Sequence, residues 1–169
     1  MTSTTTQVHR VYIKAKPQAI WDAITQPEWT RRYGYGGSFE EELRTGKPYR
    51  ILTTDEMKKS GAEMGFEVPD VAVDGEVVEV DPPRKLVLTW RMAMDPTAAA
   101  EGFTKLTYEI DEVAGGYAKL TVIHDLEGAP SVAAMTAGDG QADQGGGGWP
   151  WILSDLKSLL ETGEPLAAG

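Results

Sequence analysis

Histidine is the side chain whose proton exchange falls nearest neutral pH, and the chain has two, His9 and His124. A working base needs a partner that orients it. The carboxylate adjacent to His124, Asp125, falls on the opposite side of an extended strand, so a structural or surface role is expected for His124. His9 sits at the start of the first strand and has no better partner. The two histidines are far apart and lie in no H-x-x-H or acidic cluster, so no metal centre is expected. There is no cysteine, which removes thiolate ligands, disulfides and thiol nucleophiles together. Carboxylates come in runs (Glu40 to Glu42; Asp74, Glu76, Glu79, Asp81; Glu109, Asp111, Glu112) that read as solvated faces, without the water-poor cleft that drives paired pKa values apart. The glycines at Gly34, Gly36 and Gly37 and the run Gly145 to Gly148 lack the strand, helix and lysine context of a phosphate loop. No catalytic residue and no cofactor are therefore assigned.

What remains is apolar and aromatic. With 169 residues, 41% of them hydrophobic, the chain can bury one core of ordinary domain size. A formal charge of −10 repels phosphate backbones and anionic headgroups, so neither nucleic acid nor a membrane surface is an expected partner. Residues 1 to 7 carry neither a basic start nor an apolar stretch, and no run reaches the length of a membrane span; the expectation is a cytoplasmic protein. Five tryptophans and six methionines supply large and adaptable apolar surface.

The elements that must position these residues follow from periodicity. After a disordered start over residues 1–7, a strand runs from Val8 to Lys14, with Val11 and Ile13 on one face. Two short helices follow, the first carrying Ile20, Trp21 and Ile24, the second running through Trp29 and Arg31. Further strands are expected at Ser38 to Leu43, Pro48 to Thr54, Val71 to Val80, Lys85 to Met92, Phe103 to Ile110 and Tyr117 to Asp125, parted by turn residues. Asp55 to Pro69 shows no period and reads as a mobile flap, and Glu127 to Gly148 as a long loop. The strongest helix signal is last: Trp149, Ile152, Leu153, Leu156, Leu159 and Leu160 share a stripe, with Ser154, Asp155, Lys157, Ser158 and Glu161 opposite. Gly163 and Pro165 stop it, leaving 164–169 as a tail. The fold class is α+β, an antiparallel sheet of six to seven strands whose concave face must receive the terminal helix.

The words "KPQAIWDAITQPEW" (Lys16 to Trp29), "VDGEVVEVDPPRKLVLTW" (Val73 to Trp90), "TKLTYEI" (Thr104 to Ile110), "AKLTVIHD" (Ala118 to Asp125) and "GWPWILSDLKSLLE" (Gly148 to Glu161) occur in this order. Together they resemble the activator-of-heat-shock-protein-ATPase homologue family, within the START-like, birch-pollen-allergen-like (SRPBCC) superfamily. The resemblance covers residues 8–163 and implies a helix-grip fold: a curved sheet around a long C-terminal helix, with an internal cavity for lipids, polyketides or other apolar molecules. Trp90, Met92, Tyr108, Trp149, Leu153 and Leu156 are expected around that cavity. Tyr33, Tyr35, Met64 and Phe66, with Phe39 and Tyr49, are expected at its mouth, where phenols would orient an oxygenated, aromatic ligand. The expected function is non-enzymatic binding of a small hydrophobic molecule by a monomer or homodimer. Three alternatives stay open. The first is the self-sacrifice resistance of some START-like proteins of enediyne-producing actinobacteria, cleaved at a backbone glycine. The second is a polyketide aromatase or cyclase using Tyr108 or His124, and the third a chaperone-ATPase cofactor, the least favoured.

Overall fold

The computed structural model describes residues 5–34, 37–140 and 147–166. Its elements run β1 (Thr6–Ile13), α1 (Pro17–Thr25), α2 (Pro27–Thr30), β2 (Ser38–Phe39), β3 (Pro48–Leu52), α3 (Asp55–Glu63), β4 (Val71–Asp81), β5 (Lys85–Met92), α4 (Pro96–Ala100), β6 (Thr104–Val113), β7 (Tyr117–Asp125), α5 (Pro130–Ala137) and α6 (Gly148–Thr162). The seven strands form one curved sheet in the order β1-β7-β6-β5-β4-β3-β2, with every pairing antiparallel. The chain thus lays down β2 to β7 as a meander and returns β1 to the side of β7.

Alternation sends one set of side chains to the concave face: Leu86, Leu88 and Trp90 from β5, Leu106 and Ile110 from β6, and Leu120, Val122 and His124 from β7, all buried. Trp149, Leu153, Leu156 and Leu159 of α6 are buried with them, and α1 adds Ile20, Trp21, Ala23 and Ile24. Helix α6 also covers the free edge of β1. Lys157 Nζ donates to the Tyr12 carbonyl (2.6 Å), and the Lys14 N–H donates to Glu161 Oε2 (2.7 Å). Two backbone polar groups at the end of this edge strand are thereby taken up within the molecule.

Several sequence expectations are corrected. Strand β1 begins at Thr6, because Gln7 is fixed on the inner side by hydrogen bonds to Ala133 and Thr136 of α5. The strand expected over Ser38 to Leu43 keeps only two residues. The flap expected over Asp55 to Pro69 holds helix α3, whose first turn is capped by the Thr54 hydroxyl accepting from the Met57 N–H (3.1 Å); its apolar pattern is too sparse to register because one glycine, Gly61, is its buried position. The turn at Pro96 is helix α4, capped by Asp95. The long loop after β7 contains α5, whose first turn is held from outside by Glu101, with carboxylate oxygens that accept from the Ser131 and Val132 N–H groups (2.9 and 3.0 Å). Asp155, expected on the polar face of α6, is 2% exposed.

One junction depends on glycine. At Gly148 the chain turns into α6 with φ +57°, and a β-carbon there would lie 2.4 Å from the Thr136 carbonyl oxygen. At Gly138, where α5 ends, a β-carbon would meet the Gly147 carbonyl at 2.8 Å. The end of α5 and the start of α6 therefore touch backbone to backbone, which only glycine allows.

Candidate functional site

Four rings meet between the sheet and the start of α6. Trp90 stands edge-on to His124 with ring centres 5.1 Å apart, His124 to Trp149 at 6.0 Å, and Trp149 to Tyr108 at 6.0 Å. The register explains the meeting: Leu106 pairs with His124 and Tyr108 with Val122, so His124 and Tyr108 rise from neighbouring strands on the same face.

Hydrogen bonds give this cluster a direction. An indole N–H can only donate, so the 3.2 Å contact from Trp149 Nε1 makes His124 Nδ1 the acceptor. The histidine proton then sits on Nε2 and is donated to Thr104 Oγ1 at 2.7 Å, and Thr104 donates its own hydrogen to the Trp90 carbonyl at 2.9 Å. Every polar atom of the relay is used. His124 is completely buried, and burial lowers its pKa from 6.5 to about 4, against the smaller upward pull of Asp125 on the outer face; His9 on β1 lowers it slightly further. His124 is therefore a neutral structural group with no lone pair free for a substrate proton.

A second buried polar group closes the other side. Asp155 accepts from the Gly34 N–H (2.7 Å) and the Leu166 N–H (2.6 Å), tying the loop after α2 and the segment beyond α6 to the helix. Tyr33 donates to the Ala23 carbonyl (2.9 Å) and Tyr49 to the Thr89 carbonyl (2.6 Å). The Tyr49 bond is possible because Gly75, its cross-strand partner, has no side chain, and β4 meets Thr89 backbone to backbone; a β-carbon at Gly75 would lie 2.0 Å from the Thr89 oxygen. Burial raises all three phenol pKa values, those of Tyr33, Tyr49 and Tyr108, and Tyr108 adds to the rise at the other two.

Burial is uneven over the concave face. Trp149, Leu153 and Leu156 are buried, whereas Tyr33, Ile51, Met92, Tyr108 and Ile152 keep solvent contact while packing against the same core. Tyr108 lies on β6, an interior strand of the sheet, and keeps partial solvent contact on the inner face. Of the residues expected from sequence, Trp90, Tyr108 and Trp149 are brought together through His124, with Leu153 and Leu156 beneath α6. Tyr33 and Met92 are half-buried against the same core. Tyr35 lies outside the described residues. Met64 and Phe66 stand 69% and 53% exposed after α3, where Phe66 lines a separate surface groove with Lys58, Val68 and Asp70. Of the structural or surface roles expected for His124, the fold shows the structural one, and alternation with Leu120 and Val122 places it inward. Sequence reasoning passed over Thr104 and Ile152. Among the described residues no group of histidine and carboxylate side chains could hold a metal ion.

Comparison with known proteins places this geometry. The family model for Activator of Hsp90 ATPase homolog 1-like protein matches residues 14–161. No curated protein matches. Among solved structures, DynU16, a protein of the dynemicin biosynthetic locus, is 21% identical with a TM-score of 0.65, over 95% of this chain and 49% of its own; the chain spans about half the length of DynU16. The Aha1 dimer from Colwellia psychrerythraea is 17% identical with a TM-score of 0.60, over 94% of this chain and 97% of that one. CalU16 from Micromonospora echinospora is 17% identical with a TM-score of 0.51, over 76% and 67%. At these identities the solved structures share the fold.

The relay generates a pH prediction. Between about pH 6.5 and pH 4 the unfolded chain binds a proton at His124 that the folded chain refuses, so stability falls as pH falls, by about 3 kcal/mol over the whole interval. His9, half-buried with a lowered pKa, contributes in the same direction. Urea denaturation from pH 7 to pH 5, above most carboxylate titration, should show this slope, and His124→Leu should flatten most of it while lowering stability at pH 7; an unchanged slope in the variant would show that the titrating group lies elsewhere.

Proposed function

The chain belongs to the Activator of Hsp90 ATPase homolog 1-like family, and on that premise we propose that it binds a small, predominantly aromatic molecule in the recess between the sheet and the N-terminal half of α6, without transforming it. The observation that carries this reading is the solvent contact kept by Tyr108, Met92, Ile51, Tyr33 and Ile152 on a face whose other members are buried. Apolar walls with a few oriented polar groups are the usual composition of a small-molecule site. The polar groups at hand serve orientation. His124 is held neutral in a closed relay, and the phenols are raised by burial, so none is poised to exchange a proton near pH 7. A homodimer is compatible with the Aha1 dimer among the structural neighbours.

The test is displacement of a neutral fluorescent probe. Nile red should gain fluorescence on binding, naphthalene should displace it, and Met92→Trp, which fills the recess from β5, should weaken binding about tenfold while unfolding remains cooperative. Binding that survives Met92→Trp but disappears in Phe66→Ser would place the apolar site on the surface groove after α3 and contradict the proposal.

A second reading is favoured by the DynU16 neighbour, whose locus makes an enediyne. In it the recess holds such a drug, and a backbone glycine at its wall yields its α-hydrogen to the drug's diradical; the glycyl radical left behind combines with dioxygen from solution, and breakdown of that adduct cuts the chain there. Gly34 is the described glycine best placed, following Tyr33 and lying against Ile152. Activated dynemicin should then convert the intact chain into two discrete fragments, with a junction near residue 34; an unchanged intact mass would remove this reading and leave simple binding.

A further inference from the structure

Resting on the proposal that the recess binds an aromatic molecule, the hydrogen-bond polarity of its walls says what that molecule must carry. Each phenol has one hydrogen to give. Tyr33 and Tyr49 give theirs to the Ala23 and Thr89 carbonyls, and Trp149 gives its indole hydrogen to His124. Two donors on the inner face are not used in this way. The Tyr108 hydroxyl and the Trp90 indole N–H have no hydrogen-bond partner among the described residues, although Trp90 is 8% exposed and Tyr108 half-buried. Every fully enclosed side-chain polar atom among the described residues does have a partner, so these two unpaired donors still touch open space. Water can hydrate them there, and a ligand acceptor placed against either donor replaces that water hydrogen bond with a direct one, whereas a ligand without an acceptor removes the water and leaves the donor unpaired.

Charge narrows the choice further. The described inner-face positions of β3 to β7 carry no lysine or arginine. The charged Arg91 and Asp74 pair with each other, at 2.6 and 2.9 Å. Asp155 is a buried carboxyl group whose oxygens already accept from the Gly34 and Leu166 N–H groups. A carboxylate or phosphate brought into the recess would meet no compensating charge.

We infer that the recess selects neutral, planar ligands bearing acceptor oxygens, such as quinones and aryl ketones, which dock on the Tyr108 hydroxyl and the Trp90 indole N–H, and that it rejects ligands with an anionic headgroup. The specificity is set chiefly by Tyr108, because its hydroxyl makes no bond with any described residue and can be given to a ligand. For the same reason its removal disturbs nothing structural, and Tyr108→Phe should melt within a degree or two of the parent.

The experiment compares three probes of one ring size: naphthalene with no acceptor, naphthoquinone with neutral acceptors, and naphthoate with a charged one. The absence of cysteine leaves no thiol for the quinone to alkylate. Titration calorimetry should rank naphthoquinone about tenfold tighter than naphthalene and naphthoate weakest. Tyr108→Phe should bring naphthoquinone close to the naphthalene value while leaving naphthalene unchanged, and Trp90→Phe should cost a further, smaller factor for the quinone alone. Equal binding of naphthalene and naphthoquinone, a quinone preference that survives Tyr108→Phe, or naphthoate binding tightest would each overturn this inference while leaving the recess as a binding site. No binding of any of the three would overturn the proposed function itself.

Discussion

A curved sheet has an inner face that it cannot bury alone, and in this protein the cover is one amphipathic helix. The apolar stripe of α6 accounts for the attraction, but apolar contact is not directional and would let the helix slide or rotate. Direction comes from the relay Trp149 to His124 to Thr104 to the Trp90 carbonyl, which ties the first turn of α6 to three adjacent strands. Each such bond adds only about 1 kcal/mol in net terms, but breaking one strands a buried polar group at about 1–3 kcal/mol. The relay therefore acts mainly by excluding other placements of the helix. Asp155 does the same a turn and a half further along, through Gly34 and Leu166, and Lys157 and Glu161 finish the alignment on β1.

The proposed binding recess would follow from this placement. With α6 fixed at both ends of its inner face, Leu153 and Leu156 are buried beneath it, while Tyr108, Met92 and Tyr33 pack against the same core only partly buried. The residues that fix the helix and those that would meet a ligand are neighbours with opposite hydrogen-bond states. Those in the relay are saturated, whereas Tyr108 and Trp90 keep a hydrogen to offer. A fold that spends polar groups on positioning α6 and leaves the Tyr108 and Trp90 donors without a partner among the described residues has, on this proposal, the character of a receptor for a neutral acceptor.

Much of the architecture was legible in the sequence because it rests on repeated patterns. The alternation of β5, β6 and β7 and the stripe of α6 each extend over enough residues to declare their period, and the strand order follows from short turns. The short helices were not legible. α3 and α5 are defined by caps and by glycine contacts, the Thr54 hydroxyl and the Gly138 to Gly148 approach, and not by apolar periodicity. Asp155 was misplaced for a related reason: a carboxylate one position from the apolar stripe looks solvated until Gly34 and Leu166, distant in sequence, deliver N–H groups to it. His124 was judged by its neighbour Asp125, when the deciding partners, Thr104 and Trp149, lie 20 and 25 residues away. Local spacing says which face a residue takes, and only the folded chain says what waits there.

The central claim is that a ligand enters between the sheet and α6, so the most direct measurement locates it there. Methionine methyl groups mark both alternatives: Met92 and Met94 pack against the inner core, while Met57 and Met64 lie on and just after α3. In a methyl-labelled protein titrated with naphthoquinone, the Met92 signal should shift in proportion to saturation, accompanied by Met94, while Met57 and Met64 stay in place. A titration in which Met64 moves and Met92 does not would contradict the account.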